Sequence, residues 1–234
     1  MKFDHDNISP LDSRYAAKIS DFRKNFSESA LIKIRFEIEL EWLIYLCTKL
    51  PKIFKPLSKQ SIKKIEVFRD SFTDKYVLSI KKIESTTNHD VKAVEYFIRD
   101  YFKKDKVLKD YIHLIHFGLT SEDINSLSYA FMIKEGINLY IKELNLVNKT
   151  LKSHSKKWAK ISFLARTHGQ PASPSTIGKE LKVFSKRIDR EIEILKNIKP
   201  LAKFSGATGN YHTFNIVDSS VNWPNLNKVF IKQF

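Results

Sequence analysis

Thr120-Ser121-Glu122-Asp123-Ile124-Asn125-Ser126-Leu127 opens the stretch whose reading decides the fold. A threonine and a serine ahead of two acids mark a helix start: the hydroxyls can accept from free backbone N–H groups, and the carboxylates suit the positive end of the helix. From there Ile124, Leu127, Phe131, Ile137, Ile141, Leu144 and Leu151 continue an apolar stripe to about Lys160. At about 1.5 Å rise per residue this is one helix roughly 60 Å long. Such a helix cannot bury its stripe in a lone small domain and belongs to a bundle. The fold class expected is all-α.

The flanking sequence repeats the pattern. Upstream, Leu31, Ile34, Ile38 and Trp42 predict a helix over Ser27–Leu50, stopped by Pro51. A second is expected over Ser58–Ile83. A third starts with Asn88 as N-cap and Asp90 in its first turn, and carries Val91, Val94, Ile98 and Phe102. A shorter one over Val107–Phe117 closes at Gly118. Downstream, Ser173 as N-cap and Pro174 at the first position predict another long helix, ended by Pro200. An amphipathic start at Trp223-Pro224 reaches Phe234 without a C-cap signal, which reads as a chain interrupted inside a helix. Residues 1–26 read as irregular, with a turn at Ile8-Ser9-Pro10-Leu11-Asp12. No strand alternation of useful length is visible. The expected organisation is a small N-terminal helical domain over 1–110, then the first part of a long-helix bundle over 111–234.

Composition agrees and narrows the function classes. Only 6 Gly and 7 Pro punctuate 234 residues, while 42% are hydrophobic, so a core can form and long helices go unbroken. No apolar run is long enough to span a bilayer, and Met1-Lys2-Phe3-Asp4-His5-Asp6 lacks the apolar run of a secretion signal. The single cysteine, Cys47, sits in an apolar stretch as a buried thiol. A cytoplasmic protein with no membrane partner is expected. The net charge of +15 comes mostly from lysines spread along the chain, with pairs at 63–64, 81–82, 103–104 and 156–157 beside acidic or apolar residues. That is the pattern of solvated helix faces rather than a nucleic-acid footprint. An anionic small substrate fits the same charge balance.

Three polar clusters stand where helices begin. Thr86-Thr87-Asn88-His89-Asp90 and Thr120-Ser121-Glu122-Asp123 both read as caps, and a helix start can also bind a carboxylate or phosphate. Arg166-Thr167-His168-Gly169-Gln170-Pro171 is different, because a cap accounts for Ser173-Pro174 only. It sets Arg, His and Gln side by side, and an imidazole titrating near neutral pH can give or take a proton. A lone loop histidine is nonetheless more often structural. No His/Cys/Asp/Glu spacing matches a metal site, and the Gly206/Gly209 loop lacks the Lys-Ser/Thr of a phosphate-binding loop. His113 and His116 read as core-edge or surface residues.

Taken in order, the clusters resemble the adenylosuccinate lyase family of the fumarase/aspartase superfamily, in its bacterial form. The matching segments are Ser9 through Tyr15, Glu84 through Tyr96, His116 through Asn125, Arg166 through Glu180, and Ser205 through Tyr211. The resemblance covers essentially the whole chain. It implies an all-α homotetramer built on a long-helix core, which uses no metal or organic cofactor. It also implies β-elimination of fumarate from adenylosuccinate, giving AMP, and the equivalent step on the succinyl-carboxamide ribotide. By resemblance His168 is the general acid, Arg14 and Tyr15 hold the phosphate end of a nucleotide substrate, Asn88, His89 and Asp90 line the pocket, and Thr120 and Ser121 hold the succinyl carboxylates. The family's flexible loop, with the serine assigned as base, has no counterpart here, nor does the second half of the bundle. The 234 residues alone are expected to be inactive. The alternative is a non-catalytic helical remnant, or assembly module, of a degenerate lyase.

Overall fold

A computed structural model describes residues 9–234. The Met1–Asp6 stretch read for a leader, and Ile8 of the expected turn, lie outside the described residues. The all-α expectation holds, with one small hairpin added. The helices are α1 (Ser20–Phe26), α2 (Glu28–Lys49), α3 (Lys59–Asp70), α4 (Asp74–Thr87), α5 (Asp90–Lys104), α6 (Ser121–Lys157), α7 (Ile177–Asn197), α8 (His212–Val217) and α9 (Trp223–Ile231); strands β1 (Ser162–Thr167) and β2 (Gln170–Thr176) precede α7, and short 3-10 turns cover Ala16–Ile19 and Leu108–Leu114.

The described chain divides into two compact units. The first comprises the described residues up to Ile133 together with Pro200–Phe234. Its centre is α2, apolar on most of its circumference and therefore buried along most of its length, with Lys33 left exposed. Phe36, Ile38, Leu40, Trp42, Leu43 and Leu46 are fully buried there. Phe36 meets Phe68 of α3 edge-on at 4.9 Å between ring centroids. Trp42 meets Phe204 at 5.0 Å and Phe230 of α9 at 4.9 Å. At about 1.5–3 kcal/mol for each large side chain withdrawn from water, this cluster dominates the unit's stability. The ends of α2 behave as their sequence dictates: the Ser27 hydroxyl accepts from Ala30 N–H at its start, and Pro51 follows its last turn.

The second unit is Lys134–Lys199. There α7 crosses the last turns of α6 at Gly178, where a Cβ would meet the Ser155 carbonyl oxygen at 2.4 Å, so only glycine permits the approach. Ser155 Oγ donates to Gly178 O at 2.7 Å, and Asp189 of α7 accepts from Asn148 and Lys152 of α6, each at 2.7 Å.

Several expectations need correction. The helix expected over Ser58–Ile83 is two, because the Ser71-Phe72-Thr73 turn ends α3 and Thr73 starts α4 with Asp74 in its first turn. Asn88 is not the N-cap of α5; it is the left-handed C-cap of α4 (φ 51°), and His89 caps α5 by accepting from Lys92 N–H at Nδ1. The segment before Ser27 is not irregular throughout, since it holds a 3-10 turn and α1. Ser173-Pro174 does not start α7. Both residues lie in β2, and Thr176 is the N-cap, its hydroxyl accepting from Lys179 N–H at 3.2 Å.

Candidate active site

Two of the three polar clusters meet in the first unit. His89, between α4 and α5, presents Nε2 at 3.4 Å from Ser121 Oγ at the start of α6. Its Nδ1 already accepts from Lys92 N–H at 3.2 Å, and an imidazole accepting at Nδ1 in its neutral form carries its proton on Nε2. The ring therefore offers an N–H to the face where Thr120 and Ser121 sit. Asp90 is held beside it by the buried Arg35 of α2, Nη2 to Oδ2 2.7 Å, and by Val91 N–H at 2.8 Å. Partial burial works against the Asp90 charge, but the Val91 N–H and the Arg35 guanidinium outweigh it and hold its pKa below the usual carboxylate value.

The segment leading into α6 is fastened from α2 as well. His116 (φ 62°) donates its backbone N–H to Glu39 Oε2 at 3.0 Å, while its ring Nδ1 lies 2.5 Å from Oε1 of the same buried carboxylate. Trp42 Nε1 donates to Phe117 O at 2.9 Å. Gly118 (φ 73°) packs so closely under Phe214 that a Cβ would lie 2.3 Å from the ring. Burial opposes the charge on His116, yet the Glu39 carboxylate and its hydrogen bond raise the pKa overall. Arg35, Glu39 and Trp42, spaced by four and three residues, thus hold both helix starts from one face of α2. Sequence reading missed His116 and Glu39, because a pair 77 residues apart leaves no local signal.

Asp123 completes this end. It is fully buried, and its carboxylate accepts from Thr120 N (2.8 Å), Ser205 N (2.8 Å), Gly206 N (3.1 Å) and Lys203 Nζ (2.7 Å). The charges here are engaged by opposite ones: Arg35 with Asp90, both Lys92 and Arg99 with the buried Glu95, and Lys203 with Asp123. Among the described residues the Thr120 hydroxyl takes no hydrogen bond, and that of Ser121 is held only by the long contact to His89.

His168 belongs to the second unit. The antiparallel pairing of β1 with β2 brings Thr167 opposite Gln170, so His168-Gly169 is a two-residue hairpin turn with φ values of 51° and 76°. Two successive positive φ angles define the tight turn that matches strand twist, and glycine supplies the second at no steric cost. His168, Arg166 and Gln170 are all exposed on this hairpin. Arg14 and Tyr15 lie together before the first 3-10 turn, the guanidinium 5.4 Å above the ring. Among the described residues no hydrogen bond, ion pair or ring contact joins them to the 86–90 or 120–123 clusters. A groove of about 790 Å³ between α6 and α7 is lined by lysine and arginine stems, including Lys156, Lys182 and Arg187. None of the expected site residues lines it, and the polar helix starts carry the chemistry more specifically. Among the described residues no group of three or more His, Cys, Asp or Glu is arranged to hold a metal ion, and no helix is long and apolar enough to cross a membrane.

The mostly helical scaffold, with its 37-residue helix, is similar in fold to solved structures. A fumarate lyase from Mesorhizobium sp. BNC1 superposes with a TM-score of 0.69 at 19% identity, over 83% of this chain and 44% of that one. The beta-carboxy-cis,cis-muconate cycloisomerase of Acinetobacter calcoaceticus sp. ADP1 gives 0.72 at 18% identity, over 94% and 50%. At these identities the likeness shows the fold. The chain belongs to the lyase family, whose model matches residues 13–232. It is similar to curated adenylosuccinate lyases: 41% identical to that of Buchnera aphidicola subsp. Baizongia pistaciae over 96% of this chain and 49% of the relative, 39% to that of Dictyostelium discoideum over 96% and 50%, and 38% to that of Escherichia coli K12 over 96% and 50%. The chain spans about half the length of the curated relatives it matches.

Proposed function

We propose that this chain serves the adenylosuccinate lyase reaction, releasing fumarate from adenylosuccinate to leave AMP and performing the same elimination on the succinyl-carboxamide ribotide. The observation that carries the reading is the identity of about 40% to curated adenylosuccinate lyases across 96% of the chain. The meeting of His89 with Ser121 supports it. In this reading Thr120 and Ser121 bind the succinyl carboxylates, Asn88, His89 and Asp90 line the pocket, and Arg14 and Tyr15 hold the nucleotide phosphate. His168 protonates the departing nitrogen while a base takes the proton from the neighbouring carbon. The carboxylate contacts stabilise the charge that develops on the way. No organic cofactor or metal takes part. Residues 1–110 serve as the N-terminal domain and 111–234 as the first part of a tetramer-forming bundle, in a cytoplasmic enzyme.

The base belongs to a segment that the resemblance places outside these 234 residues, so the purified 234-residue chain is expected to release no fumarate. Mixed with a polypeptide comprising the second half of the Buchnera relative, it is expected to turn over adenylosuccinate. His168→Gln in that mixture should lower the rate by about 10²–10⁴-fold, the usual contribution of general acid catalysis. An assembled mixture that makes no fumarate, or one in which His168→Gln keeps full rate, overturns the reading.

A further inference from the structure

The capping of α6 is divided in an unusual way. Threonine at a helix start ordinarily spends its hydroxyl on the free N–H groups of the first turn. Here Asp123 makes the reciprocal bond of a capping box, its Oδ2 accepting from the Thr120 backbone N–H at 2.8 Å. No hydrogen bond engages the Thr120 hydroxyl among the described residues. The same carboxylate reaches across 82 residues to Ser205 N and 83 to Gly206 N. Lys203 bonds both Asp123 and the Gly206 carbonyl, and Ser126 exchanges hydrogen bonds with the Lys203 backbone at 2.8 and 3.1 Å. Gly206 (φ 80°) lies against the Gly118 carbonyl, where a Cβ would sit at 3.6 Å. A carboxylate withdrawn from water is tolerated only when its lone pairs are filled, and these four donors fill them. The arrangement fixes the Thr120-Ser121 backbone from behind and leaves the hydroxyls in front.

We propose that Asp123 is a positioning residue for the substrate: it anchors the Thr120 backbone N–H and locks the Ser205-Gly206 turn behind it, so that the Thr120 and Ser121 hydroxyls face the succinyl carboxylates. The role rests on the lyase reading above. It makes a prediction opposite in sign to that of simple electrostatics. A buried negative charge near an anion site repels the anion, so its removal alone strengthens binding. If Asp123 positions Thr120, its removal weakens binding instead.

The test is calorimetric titration of the 234-residue chain with adenylosuccinate. Asp123→Asn is expected to weaken binding about tenfold, equivalent to about 1.4 kcal/mol. Thr120→Val is expected to weaken it similarly while leaving the thermal midpoint where it was, because the hydroxyl caps nothing. The double variant is expected to lose no more than either single one, since both act through one contact. Unchanged or tighter binding in Asp123→Asn overturns the role, as does full additivity in the double variant. Should Asp123→Asn fail to fold, Thr120→Val decides alone: a fall in its thermal midpoint means that the hydroxyl caps the helix, and the role fails. Absence of adenylosuccinate binding by the unsubstituted chain overturns this role alone, while the lyase reading stands or falls on fumarate release by the assembled mixture.

Discussion

Single residues at the site do chemistry for the fold before they do any for a substrate. His116 shows this best. Its carboxylate partner Glu39 is buried against it, with Glu95 reinforcing the positive charge and Lys92 opposing it. Burial alone would depress the imidazole, but the pair leaves it raised above its ordinary 6.5. A group whose pKa rises on folding stabilises the native state fully below the unfolded value, and that contribution fades as pH climbs through the folded value. The chain should therefore lose stability as pH rises above about 6.5, with the loss traceable to this pair. Urea denaturation across that range checks it. Glu39→Gln should abolish that part of the pH dependence and cost about 3–5 kcal/mol at the acid end, the penalty for stranding one member of a buried pair. A Glu39→Gln variant with unaltered pH dependence would show that the pair carries no such linkage. None of this was legible in the sequence, where His116 read as a core-edge residue, because the interaction is a product of how α2 lies beside the turn into α6.

Elements were legible to the extent that their apolar residues repeat at helical spacing. Helices α2, α5, α6 and α9 stand within a few residues of where Leu31–Trp42, Val91–Phe102, Ile124–Leu151 and Trp223–Phe230 put them. The hairpin was not legible, for a physical reason. Both β1 and β2 are largely exposed, so neither has a buried face to impose an apolar/polar alternation. Two prolines and two serines in β2 imitate helix-start chemistry, and the pairing is set instead by the His168-Gly169 turn. The same confusion displaced the start of α7 by three residues, from Ser173-Pro174 to Thr176. Capping energetics can verify the correction. Thr176→Ala should destabilise α7 by about 1 kcal/mol, the usual cost of a lost N-cap. Ser173→Ala should leave stability within about 0.5 kcal/mol, as a surface change does. Guanidinium denaturation with helicity as the probe measures both, and a reversed order would return the cap to Ser173. The hairpin also explains how His168 comes to stand exposed at a turn of the second unit: the turn needs positive φ at its first position, which histidine accepts more readily than bulkier side chains.

For the whole molecule the sequence conveyed the class of fold through one long helix, and the polar clusters conveyed the family through their order. An interrupted bundle also implied that apolar stripes of the helices at 120–160 and 174–199 would be left bare, without showing which side chains those would be. Tyr140, Leu146 and Val147 of α6, and Phe184 and Ile194 of α7, are each more than half exposed. Large apolar side chains left in water on both long helices are a driving force for association, because about 25 cal/mol is recovered for each square ångström of apolar surface removed from water. The net charge of +15 opposes self-association at long range, and added salt screens that repulsion without weakening the apolar attraction. The purified chain should therefore form oligomers whose population grows with both protein concentration and salt, as analytical ultracentrifugation would register. Leu146→Glu combined with Ile194→Glu should shift it to monomer while leaving helicity unchanged, since neither side chain belongs to the core. Dissociation on adding salt would mean that ion pairs rather than apolar faces hold the copies together. A chain that stays monomeric under every condition would remove the case for a bundle assembled through α6 and α7.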